Sequence, residues 1–496
     1  VLSVLTTTGT VSLDGRLDAA DLRRAAAPLT VVVADEVRTR VRRGRAFLRS
    51  VLAGEDRQVY GATTGFGALV GFAGRDEEAD QCDNTLAHLG AGQGPDLPND
   101  VVRAALLVRT WSLAQGVSGV SPHVVDGLAA MFATTFTPAV PRYGSVGASG
   151  DLIPLAYATQ ALRGRGPAYA DGRRMPAADA LEATGLAPLA LDGRDALALV
   201  NGTSVTTAAL ALAHHAVRAA HRALARLTCL LVDLLGCDAG FLDANLLRAY
   251  GHPGAVSVAA DMRAMLEGAV ASGTRGLQEP YSIRCAPQLL GAAEDALRYV
   301  DGVVAADLSG VSDNPLFFPD AGTVVHGGNF FGQPAAFAAD LLASVTAQLG
   351  NLAERQLDLL VDPARNGGLP PMLAVEPGRQ HGLQGVQLAT TSFVAEMRRA
   401  ATPASMQSLP TNLHNQDVIP FGTHAALRAY DMAELLRLLC GSLAVGLRQA
   451  GHTGARRPTA DACGALLDAL ADAVPPVEPD RPLDADVRTA AALLIP

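Results

Sequence analysis

A mainly α-helical fold is predicted, with a long central helical bundle set behind a loop-rich N-terminal part. Three observations predict it. Apolar residues recur at helical spacing through four long Ala/Leu-rich stretches after residue 200. Hydrophobic content is 49% with only 4% aromatic residues, many Ala and Leu and mixed charges, the composition of a soluble globular protein. Before residue 200 the chain instead mixes short segments with Gly and Pro turns. The division expected is therefore a region 1–200 and a helical region 201–496.

In chain order, modest helices are expected over 19–27, 31–53 and 101–114, then long ones over 204–235, 335–360, 383–401 and 422–450. Runs near 30 residues far exceed the mean globular helix of about 11–12 and imply that each presses on several others. Pro363, Pro370-Pro371 and Pro475-Pro476 mark connections, since proline removes a donor from a helix interior. No internal repeat or low-complexity tract interrupts the chain.

A formal charge of −10 and a pI near 5.6 argue against nucleic acid or an anionic membrane as partner and leave small molecules. The start, Val1-Leu2-Ser3-Val4-Leu5-Thr6, has no basic segment, and no stretch reads as long and clean enough to span a bilayer, so a cytoplasmic location is expected. Cys82, Cys229, Cys237, Cys285, Cys440 and Cys463 form no CxxC pair and neighbour no His cluster, so neither a metal nor a disulfide framework is expected. All 39 basic residues are Arg. A chain without Lys cannot hold pyridoxal phosphate (PLP) as a Schiff base or build a P-loop, so amine chemistry here requires another electrophile.

One segment can supply it. In Gly144-Ser145-Val146-Gly147-Ala148-Ser149-Gly150-Asp151, the amide nitrogen of Gly150 can attack the carbonyl of Ala148. Loss of two waters, one from the Ser149 hydroxymethyl group, then leaves a five-membered ring with an exposed methylene. Small residues suit the closure, because a side chain at Gly150 would crowd the attacking nitrogen.

Other blocks accompany it in order: Tyr60-Gly61-Ala62-Thr63-Thr64-Gly65-Phe66-Gly67, Asn201-Gly202-Thr203-Ser204, Gln278 to Arg284, Asp313-Asn314-Pro315, His326-Gly327-Gly328-Asn329-Phe330 and Asn415-Gln416-Asp417-Val418. With these the chain resembles the aromatic amino acid ammonia lyases and aminomutases, which include histidine, phenylalanine and tyrosine ammonia lyases. The resemblance implies a 4-methylideneimidazole-5-one ring (MIO) formed from Ala148, Ser149 and Gly150, with no metal and no PLP. It also implies a homotetramer in which three subunits contribute to each active site.

Residue by residue, the resemblance makes Tyr60 the base that removes the β-proton. An ordinary tyrosine titrates near 10, so a phenol lowered by Arg or helix N-termini is expected, with Gly61, Gly65 and Gly67 serving a mobile lid. Arg284 is expected to be held by packing as a bidentate clamp for the substrate carboxylate. Tyr281 stabilises the ring or the leaving amine; if the segment is helical, Gln278, Tyr281 and Arg284 fall near one face. Asn201 bonds the ring or substrate, Phe330 packs over the ring, and Asn415 and Gln416 complete the polar surroundings.

The pair His88-Leu89 falls where the family reads the aryl ring, and His-Leu is the pairing of tyrosine-preferring members. An imidazole can pair with a phenol, and phenylalanine would leave it unmatched. Asn415-Gln416-Asp417-Val418 also lacks the Glu that histidine lyases carry after Gln. Two departures stand out: Arg379-Gln380-His381-Gly382-Leu383, where His381 is positioned to alter the pocket, and Gln278-Glu279-Pro280 in place of Gln-Asp-Ala. The expected activity is elimination of ammonia from L-tyrosine to give trans-4-coumarate. A tyrosine 2,3-aminomutase giving a β-amino acid, and a lyase for a ring-substituted tyrosine, phenylalanine or histidine, share the same motifs.

Overall fold

The structure is a computed structural model that describes residues 9–54, 59–60, 64–65, 67–72, 74, 77–454 and 456–495. Gly61, Ala62, Thr63 and Phe66 of the Tyr60 block, and the stretch from Val1 to Thr6, lie outside the described residues.

The fold is mainly helical, with a large helical bundle and a loop-rich N-terminal region. The long helices run over Ser204–Leu234, Gln333–Val361, Gln384–Ala400 and Gly422–His452, within two residues of expectation. A further long helix, Ala286–Ser309, was not anticipated. Its signal was present: Leu290, Ala293, Leu297, Val300, Val304 and Leu308 recur every three or four residues, and all are buried.

Two N-terminal expectations need correction. The stretch 31–53 is a strand, Thr30–Val32, followed by a helix, Asp35–Leu52. The β-branched run Val31-Val32-Val33 prefers extended backbone and pairs in parallel with Thr10–Ser12. The first helix, Ala19–Arg24, is capped by a reciprocal Asp18–Asp21 box and ends three residues short of expectation. The segment Asp195–Leu234 is long and apolar enough to cross a membrane by composition, contrary to the sequence reading. Its most apolar window is entirely buried within the structure, the environment of a core helix.

The chain forms two compact units. One comprises residues 1–212, 302–339 and 403–427; the other comprises 213–301, 340–402 and 428–496. In the first unit, the helices Asn99–Ala114, Leu152–Leu162 and Asp195–Val200 are largely buried and carry the loops of the candidate site. Buried arginines interrupt this apolar interior. Arg103 donates to the carbonyls of Phe132, Thr134 and Phe136, so its cation is satisfied by backbone dipoles.

Candidate active site

The chain leaves the strand Pro141–Tyr143 and enters the helix Leu152–Leu162 through residues 144–151. Gly147 and Gly150 adopt φ of +68° and +70°. A Cβ on Gly150 would stand 2.4–2.5 Å from backbone atoms of Gly202, so only glycine fits there. Ala148 is buried while Ser149 is half-buried. The Gln416 Nε2 amide donates to Ser149 Oγ at 2.5 Å, and Gln416 Oε1 accepts from Thr411 Oγ1 at 2.5 Å, which fixes the amide orientation.

Asp151 anchors the passage. Its Oδ2 accepts from the backbone amides of Val205 and Thr206, each at 2.9 Å, at the start of the Ser204–Leu234 helix. Its Oδ1 accepts from the hydroxyls of Ser145 (2.9 Å), Thr206 (3.0 Å) and Thr423 (2.6 Å). Burial pushes its carboxyl above the usual range, opposed by the Thr423 hydroxyl and the Thr206 amide. One carboxylate thus ties the loop, a long helix and the segment after Gln416 together. Sequence reasoning gave Asp151 no role, although its place directly behind the tripeptide and ahead of an apolar helix was the available signal.

Behind the loop lies a buried charge cluster. Asp313 Oδ1 accepts from Arg194 Nη2 at 2.8 Å, and its Oδ2 lies 3.8 Å from Arg109 Nη2. Two guanidiniums share one carboxylate, so the cluster carries net positive charge. Burial pulls the Arg109 guanidinium down to about 10, which keeps it protonated at neutral pH. Arg194 is also held by the carbonyls of Ser118 and Pro315, each at 3.0 Å, and lies over the Phe317 ring. Sequence reasoning singled out neither arginine, since an Arg in isolation reads as a surface charge.

Asn201 ends the Asp195–Val200 helix and donates through Nδ2 to the Asn314 carbonyl at 2.9 Å. Its Oδ1 is buried without a hydrogen-bond partner among the described residues. A Cβ on Gly202 would meet Arg109 Nη1 at 2.1 Å, so this glycine is a close approach of backbone to cation as well as a turn.

Tyr60 is half-buried. Its backbone amide donates to His326 Nε2 at 3.3 Å, and its phenol oxygen accepts from the Gly67 amide at 2.9 Å. The expected lowering of the phenol is not what the structure gives. Burial raises it, while the Gly67 amide and the charge on Arg194 act in the lowering direction.

His88 is the last residue of the helix Glu78–His88 and is exposed, whereas Leu89 caps that helix and is buried. His88 Nδ1 lies 3.0 Å from the Asn84 carbonyl. A carbonyl only accepts, so the neutral ring carries its proton on Nδ1 and its lone pair on Nε2. Phe330 is half-buried in the turn before the helix Gln333–Val361. Asn415 is exposed, with its amide on the Asn412 carbonyl at 3.1 Å.

All of these residues belong to the first unit; Gln278, Tyr281 and Arg284 belong to the second. There the helix spans only Tyr281–Arg284, because Pro280 stands at its N-cap and bars backward extension. Gln278 therefore does not share a helical face with Tyr281 and Arg284. Instead it lines a cavity of about 480 Å³ together with Arg275 and Glu279. Arg284 donates through Nε to the Glu279 carbonyl at 3.0 Å, and its guanidinium lies 4.7 Å from the centre of the Tyr281 ring. It is held by a carbonyl and an aromatic face rather than by apolar packing. Tyr281 itself is 71% exposed. His381 is also in the second unit, with its amide on Asp480 Oδ2 at 2.7 Å.

The residues fit a ring closed from Ala148, Ser149 and Gly150. The left-handed Gly150 is pressed on Gly202, the Ser149 hydroxyl is held by Gln416, and the unpaired Asn201 Oδ1 is part of the same unit. Among the described residues, no group of three or more His, Cys, Asp and Glu side chains is placed to hold a metal ion.

The chain is 38% identical to a tyrosine ammonia-lyase of Cereibacter sphaeroides over 94% of this chain and 93% of that protein. It is 41% identical to a histidine ammonia-lyase of Geobacillus kaustophilus over 79% of this chain and 80% of that protein. Among solved structures, a tyrosine aminomutase from Streptomyces globisporus superposes with a TM-score of 0.90 at 32% identity, covering 98% and 96% of the two chains. Residues 17–473 match the family model described as aromatic amino acid lyase. The chain belongs to the aromatic amino acid lyase family, enzymes that use an autocatalytic MIO group to act as ammonia lyases or aminomutases on aromatic amino acids.

Proposed function

We propose that this chain is an ammonia lyase converting L-tyrosine to trans-4-coumarate and ammonia. The observation that carries the reading is the Gln416–Ser149 hydrogen bond beside a Gly150 that accepts no side chain, a loop shaped for closure of the MIO ring. Once formed, the ring supplies an electrophilic methylene that makes the substrate amine a better leaving group.

The chain's own residues do the rest. Tyr60 as phenolate takes the β-proton, a Cα=Cβ bond forms, and the C–N bond breaks with its electron pair leaving on nitrogen. The Gly67 amide and the charge on Arg194 favour that phenolate. Asn201 Oδ1 is an acceptor for the amine, and Tyr281 stabilises the ring or the leaving nitrogen. Phe330 packs over the ring, and Asn415 completes the polar surroundings. Arg284 clamps the carboxylate, with Gln278 beside it. His88 Nε2 accepts from the phenol of tyrosine while Leu89 backs the pocket, which penalises phenylalanine.

The working form is a homotetramer with sites completed by three subunits. Exposed apolar side chains on the site segments support it: Met406, Leu409, Leu413 and Val418 in the first unit, and Leu277 and Tyr281 in the second. The partner is a small aromatic amino acid rather than nucleic acid or membrane. A cytoplasmic location belongs to the same reading and is supported by six free cysteines.

The likeness to a tyrosine aminomutase favours a second reading, in which ammonia returns to the β-carbon. Purified enzyme is incubated with tyrosine, substituted tyrosines, phenylalanine and histidine, following ultraviolet growth and released ammonia. Arylacrylate and ammonia in equal amounts from tyrosine are expected. A β-amino acid resolved on a chiral column, without free ammonia, would replace the lyase reading. A preference for phenylalanine would remove His88 as selector.

A further inference from the structure

A cavity of about 470 Å³ in the second unit is lined from the helices Ser204–Leu234, Pro253–Met265 and Ala286–Ser309. His221 lines it and is only 3% exposed. Its Nε2 lies 2.9 Å from the Leu290 carbonyl, so the proton sits on Nε2 and Nδ1 carries a lone pair. Nδ1 has no hydrogen-bond partner among the described residues, and Glu294 Oε2 stands 4.0 Å away. Burial lowers the imidazole pKa, which keeps the ring neutral. Arg218 and Arg298 already donate to the Glu294 carboxylate, which leaves His221 Nδ1 as the buried acceptor still lacking a donor among the described residues.

The rim carries unmatched charge of both signs. Arg222 and Arg226, one helical turn apart, line the cavity and enter no ion pair among the described residues, and the same is true of Asp261. Arg218 is already bound to Glu294 and Asp301. Val258, Met262 and Met265 give an apolar wall, with methionines that adapt to different shapes.

We propose that this cavity is a second amino-acid site that takes the zwitterion of an α-amino acid with an apolar or aromatic side chain. The ammonium donates to His221 Nδ1, the carboxylate lies on Arg222 and Arg226, and the side chain on Val258 and the methionines. The volume suits a ligand of that size. The inference stands on these residues alone and does not depend on which reaction the ring loop performs.

The test is equilibrium dialysis of labelled L-phenylalanine against the Ser149→Ala protein, which binds without turnover. Two binding classes per chain are expected. Arg222→Gln/Arg226→Gln on that background weakens one class by tenfold or more and leaves the other, while Arg284→Gln does the reverse. His221→Phe, checked for folding by circular dichroism, weakens the same class as the arginine pair. Neither 3-phenylpropionate, which lacks the ammonium, nor 2-phenylethylamine, which lacks the carboxylate, competes for that class. Binding in which no class is weakened by the arginine pair overturns the proposal. Displacement by 3-phenylpropionate as strong as that by phenylalanine also overturns it.

Discussion

The loop around Ser149 and the segment from Leu277 to Arg284 are constructed in opposite ways. The loop is enclosed: Gly150 abuts Gly202, and the Asp151 carboxylate is buried with five hydrogen bonds. The other segment is open, with Leu277 and Tyr281 exposed and Arg284 held by one carbonyl and one aromatic face. Ring closure needs a backbone immobilised before any ligand arrives, and that demand is met inside one unit. Clamping a carboxylate needs a reachable cation, and in the proposed tetramer a neighbouring subunit supplies the enclosure.

The sharpest way to break this contrast is at Gly150. Gly150→Ala places a Cβ within 2.5 Å of Gly202 on a left-handed backbone, so the loop cannot keep its path. Near-ultraviolet ring absorbance and activity are both expected to vanish; an active variant would show that the compression is not required. Tyr60→Phe comes next, lowering kcat by about 10²–10⁴ while the ring absorbance persists. Loss of that absorbance would make Tyr60 part of the enclosure rather than a base.

Asp151→Asn tests the anchor. It puts an amide donor among five donors and is expected to cost about 3 kcal/mol of stability, read by denaturant unfolding. An unchanged midpoint would move the anchoring elsewhere. His88→Phe is expected to shift the tyrosine-to-phenylalanine ratio of kcat/KM by about tenfold toward phenylalanine, the value of one hydrogen bond. No shift would place the selector away from His88.

These residues also show what the chain discloses before it folds. The long helices were legible because buried Ala and Leu recur at their spacing, and the ring loop because Ala-Ser-Gly has a chemistry of its own. The strand Thr30–Val32 was missed because helical periodicity ran into a β-branched run whose partner, Thr10–Ser12, lies 20 positions earlier. Gln278 would share a face with Tyr281 and Arg284 only on a continuous helix, which Pro280 forbids. Arg109 and Arg194 were illegible for a different reason. Burial beside Asp313 is a tertiary fact, and their partners lie more than a hundred residues away.

Arg194 supports the smallest effect and the most specific one. A base works deprotonated, and burial holds the Tyr60 phenol above its usual value, so kcat/KM should climb with pH through the alkaline range as the phenol ionises. The charge on Arg194 opposes that elevation. Arg194→Gln removes it, so the climb should move to higher pH: activity near neutrality falls a few-fold while the alkaline plateau is kept. Arg194→Lys retains the cation and should restore most of the original profile. Arg194 would then be a positioning residue that acts through the charge state of Tyr60. If its contribution is only to packing, kcat/KM falls by the same factor at every pH and lysine rescues nothing.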